Sequence, residues 1–376
     1  MTRVVYHSLR GQFSDSPRAV YESLLARGAD VEHVWLTSPR WEAVFPADVE
    51  TAGYGTPAGR AALESADVVV SNDHLDVDWD KPAGTVYLQT WHGTPLKRIH
   101  RDVMWAPEGR LDRLELDIAR WDHLLSPNAA STPRLRGAFG FDRPVHETGY
   151  PRNDVLQAPD AGERRAAVRR ELGIADGVTA VLYTPTWRDD SVFGEGVPDH
   201  ALALDVAEFA RRLGGDHVLL LRLHSMVLDR LELPAGAPVV DVSGHPQVSD
   251  LYLAADLMIT DYSSTMFDFA VTGKPLLFFT YDLDYYRNTL RGFYFDLEDV
   301  APGPMLATSE EVLTAIGDIA AVTAEHAGAY ARFQETFTSL EDGHATDRVV
   351  DLFFSGSTPA GPESTHPEGG NEHAHR

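Results

Sequence analysis

A chain that leaves a buried β-strand through a histidine and a glycine, with a lysine five residues on, asks for a reason beyond packing. That is the run Gln89 to His100, QTWHGTPLKRIH, where His92, Gly93 and Lys97 follow the apolar segment Thr85–Leu88. A second such place is LLLRLHSM, in which Arg222 and His224 stand two apart and so on one side of a strand. A strand-end histidine beside an arginine can neutralise a pyrophosphate and steady a leaving group; a satisfied core histidine would read the same way. YTPTWRDD ends a third run with Trp187, suited to stacking on a planar group, and Arg188, which meets phosphate or pairs with Asp189 and Asp190. In ITDYSSTMFDFAVTGKP, Ser263 or Ser264 caps a helix whose apolar residues Phe267, Ala270 and Val271 keep the helical period. Free N–H groups and two hydroxyls there suit a phosphate, and Asp261 orients a neighbour or caps the turn. An ordinary capped helix after a strand is the plain alternative.

These groups need elements to hold them, and the hydrophobic pattern supplies the elements. Apolar runs at Val4–Tyr6, Val31–Leu36, Val68–Val70, Thr85–Leu88 and Leu124–Leu125 alternate with helical patterns at Ser16–Arg27 and Arg110–Trp121. A second series follows at Ala180–Tyr183, Val218–Leu223, Val239–Val242, Leu257–Thr260 and Pro275–Phe279, with helices near Ala161–Leu172, Asp205–Leu213 and Gln247–Ala254. Repeated βα units predict an α/β protein with two mostly parallel sheets covered by helices. Gly149-Tyr150-Pro151 is the expected boundary between them. His92, Trp187-Arg188, His224 and Asp261–Ser264 all fall at carboxyl ends of predicted strands, where open parallel sheets bind ligands.

Composition narrows the function. The chain has 376 residues, 43% of them hydrophobic, enough for two cores. A net charge of −25, from 32 basic and 57 acidic residues, argues against nucleic acid as a partner. Cysteine is absent, which removes disulfides and thiolate metal sites. No apolar stretch is long enough for a membrane span and no signal peptide opens the sequence, so a cytoplasmic location is expected. Lysine occurs only at Lys81, Lys97 and Lys274, two of them inside the motif regions. The last residues, 355–376, are polar, rich in Gly, Pro, Glu, His and Ser, and are expected to be a disordered tail.

WHGTPLK, SPN (Ser126–Asn128), GYPRNDVL (Gly149–Leu156), YTPTWRDD, ADLMITDYSSTMFDFA and RGFYFD (Arg291–Asp296) together resemble the CDP-glycerol glycerophosphotransferase family. Its members are teichoic-acid primases and polymerases and the related capsule polymerases. GQFSDSPRAVYESL and DGHATDRVVDLFF resemble the two ends of its catalytic region, so the likeness runs from about residue 3 to 354. It implies a GT-B fold, with two Rossmann-like domains facing across a cleft: residues 1–149 for the acceptor, 150–330 for the CDP donor, and 331–354 as a helix returning to the first domain. It implies transfer of glycerol phosphate from CDP-glycerol to a hydroxyl of a lipid-linked glycan or polyol-phosphate acceptor, with release of CMP. On this resemblance His92 is the general base, Gly93 allows close approach to substrate, and Lys97 offsets phosphate charge. His224 contacts the donor pyrophosphate, Ser263 and Ser264 open the phosphate-binding helix, Asp268 holds ribose, and Arg188 and Arg291 are further donor contacts.

The sequence departs from the family after His224, where Ser225-Met226 stand in place of the usual Pro or Tyr. Its acidity is also unusual for work at an anionic membrane. Arg134, Arg136 and Arg143 with Phe139 and Phe141 form a basic aromatic stretch that would supply peripheral contact with the cytoplasmic membrane face; a solvated helix and loop is the other reading. Asp76-Val77-Asp78 has the spacing of a metal-binding pair but reads as a surface loop, so no metal cofactor is expected to be required, Mg²⁺ being the alternative. Three other functions stay open: the same transfer from CDP-ribitol, sugar transfer by a GT-B glycosyltransferase, and a non-catalytic nucleotide-binding role.

Overall fold

The computed structural model describes residues 1–104, 109–186, 202–223 and 236–355. Two all-parallel sheets organise them. The first has the order β3-β2-β1-β4-β5-β6-β7, built from β1 (Thr2–His7), β2 (Val31–Thr37), β3 (Thr51–Gly53), β4 (Val68–Ser71), β5 (Val86–Gln89), β6 (His123–Ser126) and β7 (Val145–Glu147). The second has the order β10-β9-β8-β11-β12-β13, from β8 (Thr179–Thr184), β9 (His217–Leu221), β10 (Val239–Asp241), β11 (Leu257–Thr260), β12 (Leu276–Phe279) and β13 (Met305–Leu306). The expected α/β architecture is therefore present.

Strand periodicity explains why both faces are covered. Val4, Tyr6, Val68, Val70 and Leu88 enter one cluster, while Val5, Val69 and Tyr87 enter the cluster on the opposite face. The second sheet repeats this: Ala180, Leu182, Leu220 and Met258 face one way, Val181, Leu219, Leu221 and Ile259 the other. Helices α1 (Asp15–Ala26), α2 (Pro57–Glu64), α3 (Arg110–Ile118) and α4 (Thr132–Phe139) lie in the first half. Helices α5 (Ala161–Glu171), α6 (Val206–Leu213), α7 (Val248–Ala254), α8 (Thr265–Ala270), α9 (Ser309–Gly317) and α10 (Ile319–Phe337) lie in the second. The final helix α11 (Ala345–Phe354) places Val349, Val350 and Phe354 in the same cluster as Val4 and Tyr6 of β1.

Between the halves the chain turns at Gly149, whose φ of +75° favours glycine and where a Cβ would sit 2.7 Å from the Leu340 carbonyl oxygen. The order of each sheet reverses once, between β1 and β4 and between β8 and β11. Crevices outside such reversal points are the usual ligand sites of open α/β sheets.

Candidate active site at the domain interface

Next to the first reversal point, the end of β4 at Ser71 and Asn72 lies beside Gln89, the end of β5, from which the chain runs on to His92. Trp91 has the left-handed φ of +56°, a conformation that strains a bulky residue by about 1–3 kcal/mol. That twist sets the indole against the next imidazole, with ring centroids 4.2 Å apart. The His92 ring is half-buried and its Nδ1 lies against the backbone carbonyl of Asn72. A carbonyl only accepts, so Nδ1 carries a proton and donates, and in the neutral ring the lone pair is then on Nε2. A neutral imidazole in that tautomer is equipped to act as a base.

The second reversal point meets it directly. A Cβ on Gly93 would fall 2.6 Å from Oγ and 2.9 Å from Cβ of Ser264, the N-cap residue just before α8. The carboxyl ends of the two sheets therefore face each other, and Gly93 makes its closest approach to Ser264. Ser263 Oγ accepts from the Thr265 N–H at 3.3 Å, in the first turn of α8. Farther along, Lys97 bridges Phe293 in antiparallel fashion. The Arg98 N–H donates to the Gly292 carbonyl at 3.0 Å and the Tyr294 N–H to the Leu96 carbonyl at 2.8 Å. Lys97 is thus part of a two-stranded strap across the domains. Arg291 leads into the same strap, its N–H donating to the Tyr286 carbonyl at 3.0 Å.

Other expected donor contacts have different surroundings. Asp268 was expected to hold ribose, yet it is buried and accepts from Arg152 Nη2 at 2.8 and 3.1 Å and from Asn153 Nδ2 at 2.9 Å. Asp15 accepts from the other Arg152 nitrogen at 3.0 Å, completing an interior Asp15–Arg152–Asp268 triad. Burial alone would lower the Arg152 pKa, but the two carboxylates outweigh it and hold the guanidinium well above its ordinary range. Arg222 donates to the carbonyls of Val242 and His245 at 3.2 and 2.8 Å, so it braces a loop where a phosphate contact was expected. Burial lowers its pKa. Asp261 accepts from the N–H groups of Thr186 and Tyr262 at 2.9 and 2.6 Å, tying together the ends of β8 and β11. Both contacts are of the turn-orienting kind. Arg188 and His224 lie outside the described residues.

The basic aromatic stretch also serves the interior. Phe139 and Phe141 are buried, Arg136 donates to the carbonyls of Phe141 and Arg143 at 3.3 and 3.2 Å, and Arg143 donates to the Trp121 and Ala119 carbonyls. Arg134 stacks over Phe295 of the second domain at 4.4 Å. Asp76 pairs with Arg113 at 2.9 Å, and among the described residues no group of three or more His, Asp or Glu side chains is arranged to hold a metal ion.

Some contributors escaped the sequence reading. Asn72 supplies the carbonyl under His92, a backbone role with no signature. Asp73 lies among His92, His7 and His74; burial raises its carboxyl, but positive charge on those rings, when they are protonated, and the His74 N–H bring it below the ordinary carboxylate range. The run SNDH after a strand, Ser71 to His74, was the available signal. Arg152 stands in GYPRNDVL, but nothing in that run names Asp15 or Asp268 as its partners.

With this geometry established, likeness to known proteins becomes informative. A family model described as CDP-Glycerol:Poly(glycerophosphate) glycerophosphotransferase matches residues 1–355. The teichoic acid poly(glycerol phosphate) polymerase of Bacillus subtilis (strain 168) is 35% identical over 362 residues, covering 93% of this chain and 48% of its own length. The teichoic acid glycerol-phosphate transferase of Staphylococcus aureus (strain NCTC 8325 / PS 47) is 36% identical over 364 residues, covering 93% of this chain and 92% of its own. The chain thus spans about half of the first relative and nearly all of the second. By contrast, a teichoic acid poly(ribitol-phosphate) polymerase of Bacillus spizizenii (strain ATCC 23059 / NRRL B-14472 / W23) is 30% identical over 57% of this chain and 34% of its own length. A structure of the wall teichoic acid polymerase TagF, a histidine variant with CDPG, superposes with a TM-score of 0.84 at 32% identity, covering 93% of this chain and 87% of that one.

Proposed function

This chain belongs to the CDP-glycerol:poly(glycerophosphate) glycerophosphotransferase family, and on that premise we propose that it transfers glycerol phosphate from CDP-glycerol to a hydroxyl of a lipid-linked glycan or polyol-phosphate acceptor in teichoic-acid synthesis. The observation that carries this reading is His92, held by the Asn72 carbonyl in the tautomer whose Nε2 can accept a proton, one residue from the contact between Gly93 and Ser264. In the reaction the acceptor O–H gives its proton to Nε2 as its oxygen attacks the phosphorus bearing glycerol. One P–O bond forms, the bond to CMP breaks, and CMP departs with the electron pair. In this reading Ser263 and Ser264, at the start of α8, donate hydrogen bonds to the donor phosphate, and His224 and Arg188 contact the same phosphates.

Glycerol is favoured over ribitol as the polyol because the glycerol-phosphate relatives match 93% of the chain at 35–36% identity, and ribitol-phosphate relatives 57–72% at 27–31%. An acceptor carried on lipid would bring the protein to the membrane face by peripheral contact. The test is CMP release from CDP-glycerol and CDP-ribitol with a membrane or lipid-linked acceptor, for wild type and His92→Ala. CMP should form from CDP-glycerol, and the substitution should lower kcat by about 10²–10⁴-fold without unfolding the protein. Full activity in His92→Ala, or no CMP with an acceptor known to be competent, would refute the assignment.

A further inference from the structure

Behind His92 sits a buried carboxamide that the transfer reaction does not itself require. Gln89, the last residue of β5, is fully enclosed. Its Oε1 accepts from the Trp91 N–H at 2.9 Å, and its Nε2 donates to the Asp73 carbonyl at 3.2 Å. The first bond fixes the left-handed residue whose indole stacks on His92. The second fixes the turn whose Asn72 carbonyl receives the His92 Nδ1 proton. The segments that Gln89 ties together are therefore the two that determine the place and tautomer of the His92 ring. Ser71 Oγ donates to the same Asp73 carbonyl at 2.6 Å, so the turn is held from β4 as well.

We infer that Gln89 is a positioning residue for the His92 base, acting through Trp91 and Asp73. The inference rests on the reading of His92 as that base. A carboxamide is suited to the task because it offers one acceptor and one donor on a single planar group. Glutamate would keep the acceptor for Trp91 but turn an acceptor toward the Asp73 carbonyl. Methionine would keep the length and lose both bonds.

The test uses the full chain carrying Gln89→Met or Gln89→Glu. The His92 tautomer is read from ring ¹⁵N shifts, assigned by the signal lost in His92→Ala, and CMP release from CDP-glycerol gives kcat and KM. Wild type should show the Nδ1–H tautomer alone. Gln89→Met should show mixed tautomers, with kcat lower by about 10- to 100-fold and KM within twofold. Gln89→Glu should lower kcat and move the acid limb of kcat/KM to higher pH. The inference fails if wild-type His92 already populates both tautomers. It also fails if a folded variant keeps the wild-type tautomer and kcat, even with a lower Tm. If wild type releases no CMP while the tautomer still responds to Gln89, the reaction assignment is wrong and the positioning role stands.

Discussion

At His92 the deciding fact is which ring nitrogen holds the proton, and a backbone carbonyl decides it. The histidine was legible in the sequence because a titratable ring leaving a strand is rare enough to notice. Its acceptor was not, since any residue at position 72 offers a carbonyl. Gly93 shows the same limit: glycine signalled a close approach, but the sequence could not say that Ser264 is what approaches. Gly93→Ala should therefore force the domain ends apart, costing about 1–3 kcal/mol of stability and depressing activity. Because Ser264 supplies both atoms nearest the added methyl, the double variant Gly93→Ala, Ser264→Gly should recover the lost Tm, whatever it does to catalysis. Thermal melts of the two proteins check this. A single variant as stable as wild type would mean the seam is looser than the contact implies.

At the level of elements, the strap formed by Leu96–Arg98 and Gly292–Tyr294 joins the segment after the base to the segment after a π-helical turn. Tyr294 anchors it, donating to Asp102 Oδ2 at 2.7 Å and accepting from the Ile99 N–H at 3.3 Å. Tyr294→Phe should destabilise the protein by about 1 kcal/mol and speed backbone hydrogen exchange at Arg98 and Tyr294 more than elsewhere. Uniform exchange changes would assign the tyrosine to general stability. WHGTPLK and RGFYFD each stood out in the sequence, but nothing in either names the other as its partner. Interior strands were legible because both faces are apolar; β3, β7 and β13 are edge strands of two or three residues and left no run to read. The scarce lysines also belong here. Lys274 donates its three ammonium protons to the carbonyls of Tyr252, Leu253 and Ala255 at 2.7–2.8 Å, closing the end of α7, and Lys81 donates to the Arg120 carbonyl and Asp122. Lys97 alone of the three lies at the interface between the domains.

Across the whole molecule, the Asp15–Arg152–Asp268 triad joins α1, the inter-domain turn and α8. Asp268→Asn leaves a buried guanidinium with one carboxylate and should cost about 3–5 kcal/mol. A ribose-holding aspartate would instead raise KM for CDP-glycerol and leave the urea midpoint where it is, so the two measurements separate the roles. The fold class was readable because βα alternation is a long-range pattern repeated many times. The triad was not, because its members are 116 and 137 residues apart. Acid sensitivity should arise at His7, where burial pushes the imidazole down to about 4. The unfolded chain binds that proton below about 6.5, so this contribution to stability is complete above 6.5 and is lost as the pH falls toward 4. His7→Asn should flatten the pH dependence of the urea midpoint in that window; an unchanged slope would place the acid response on other groups.

The placement of α11 has a consequence for how the protein comes into being. Val349, Val350 and Phe354 complete the cluster that covers Val4, Tyr6 and Val70, yet they are made some 345 residues after β1. On the ribosome α1 can pack on that face early, but the remainder, which α11 seals, must wait while the whole second domain is synthesised. The first domain can therefore close fully only after the second has been made, with the part of the sheet face that α11 seals left open until then.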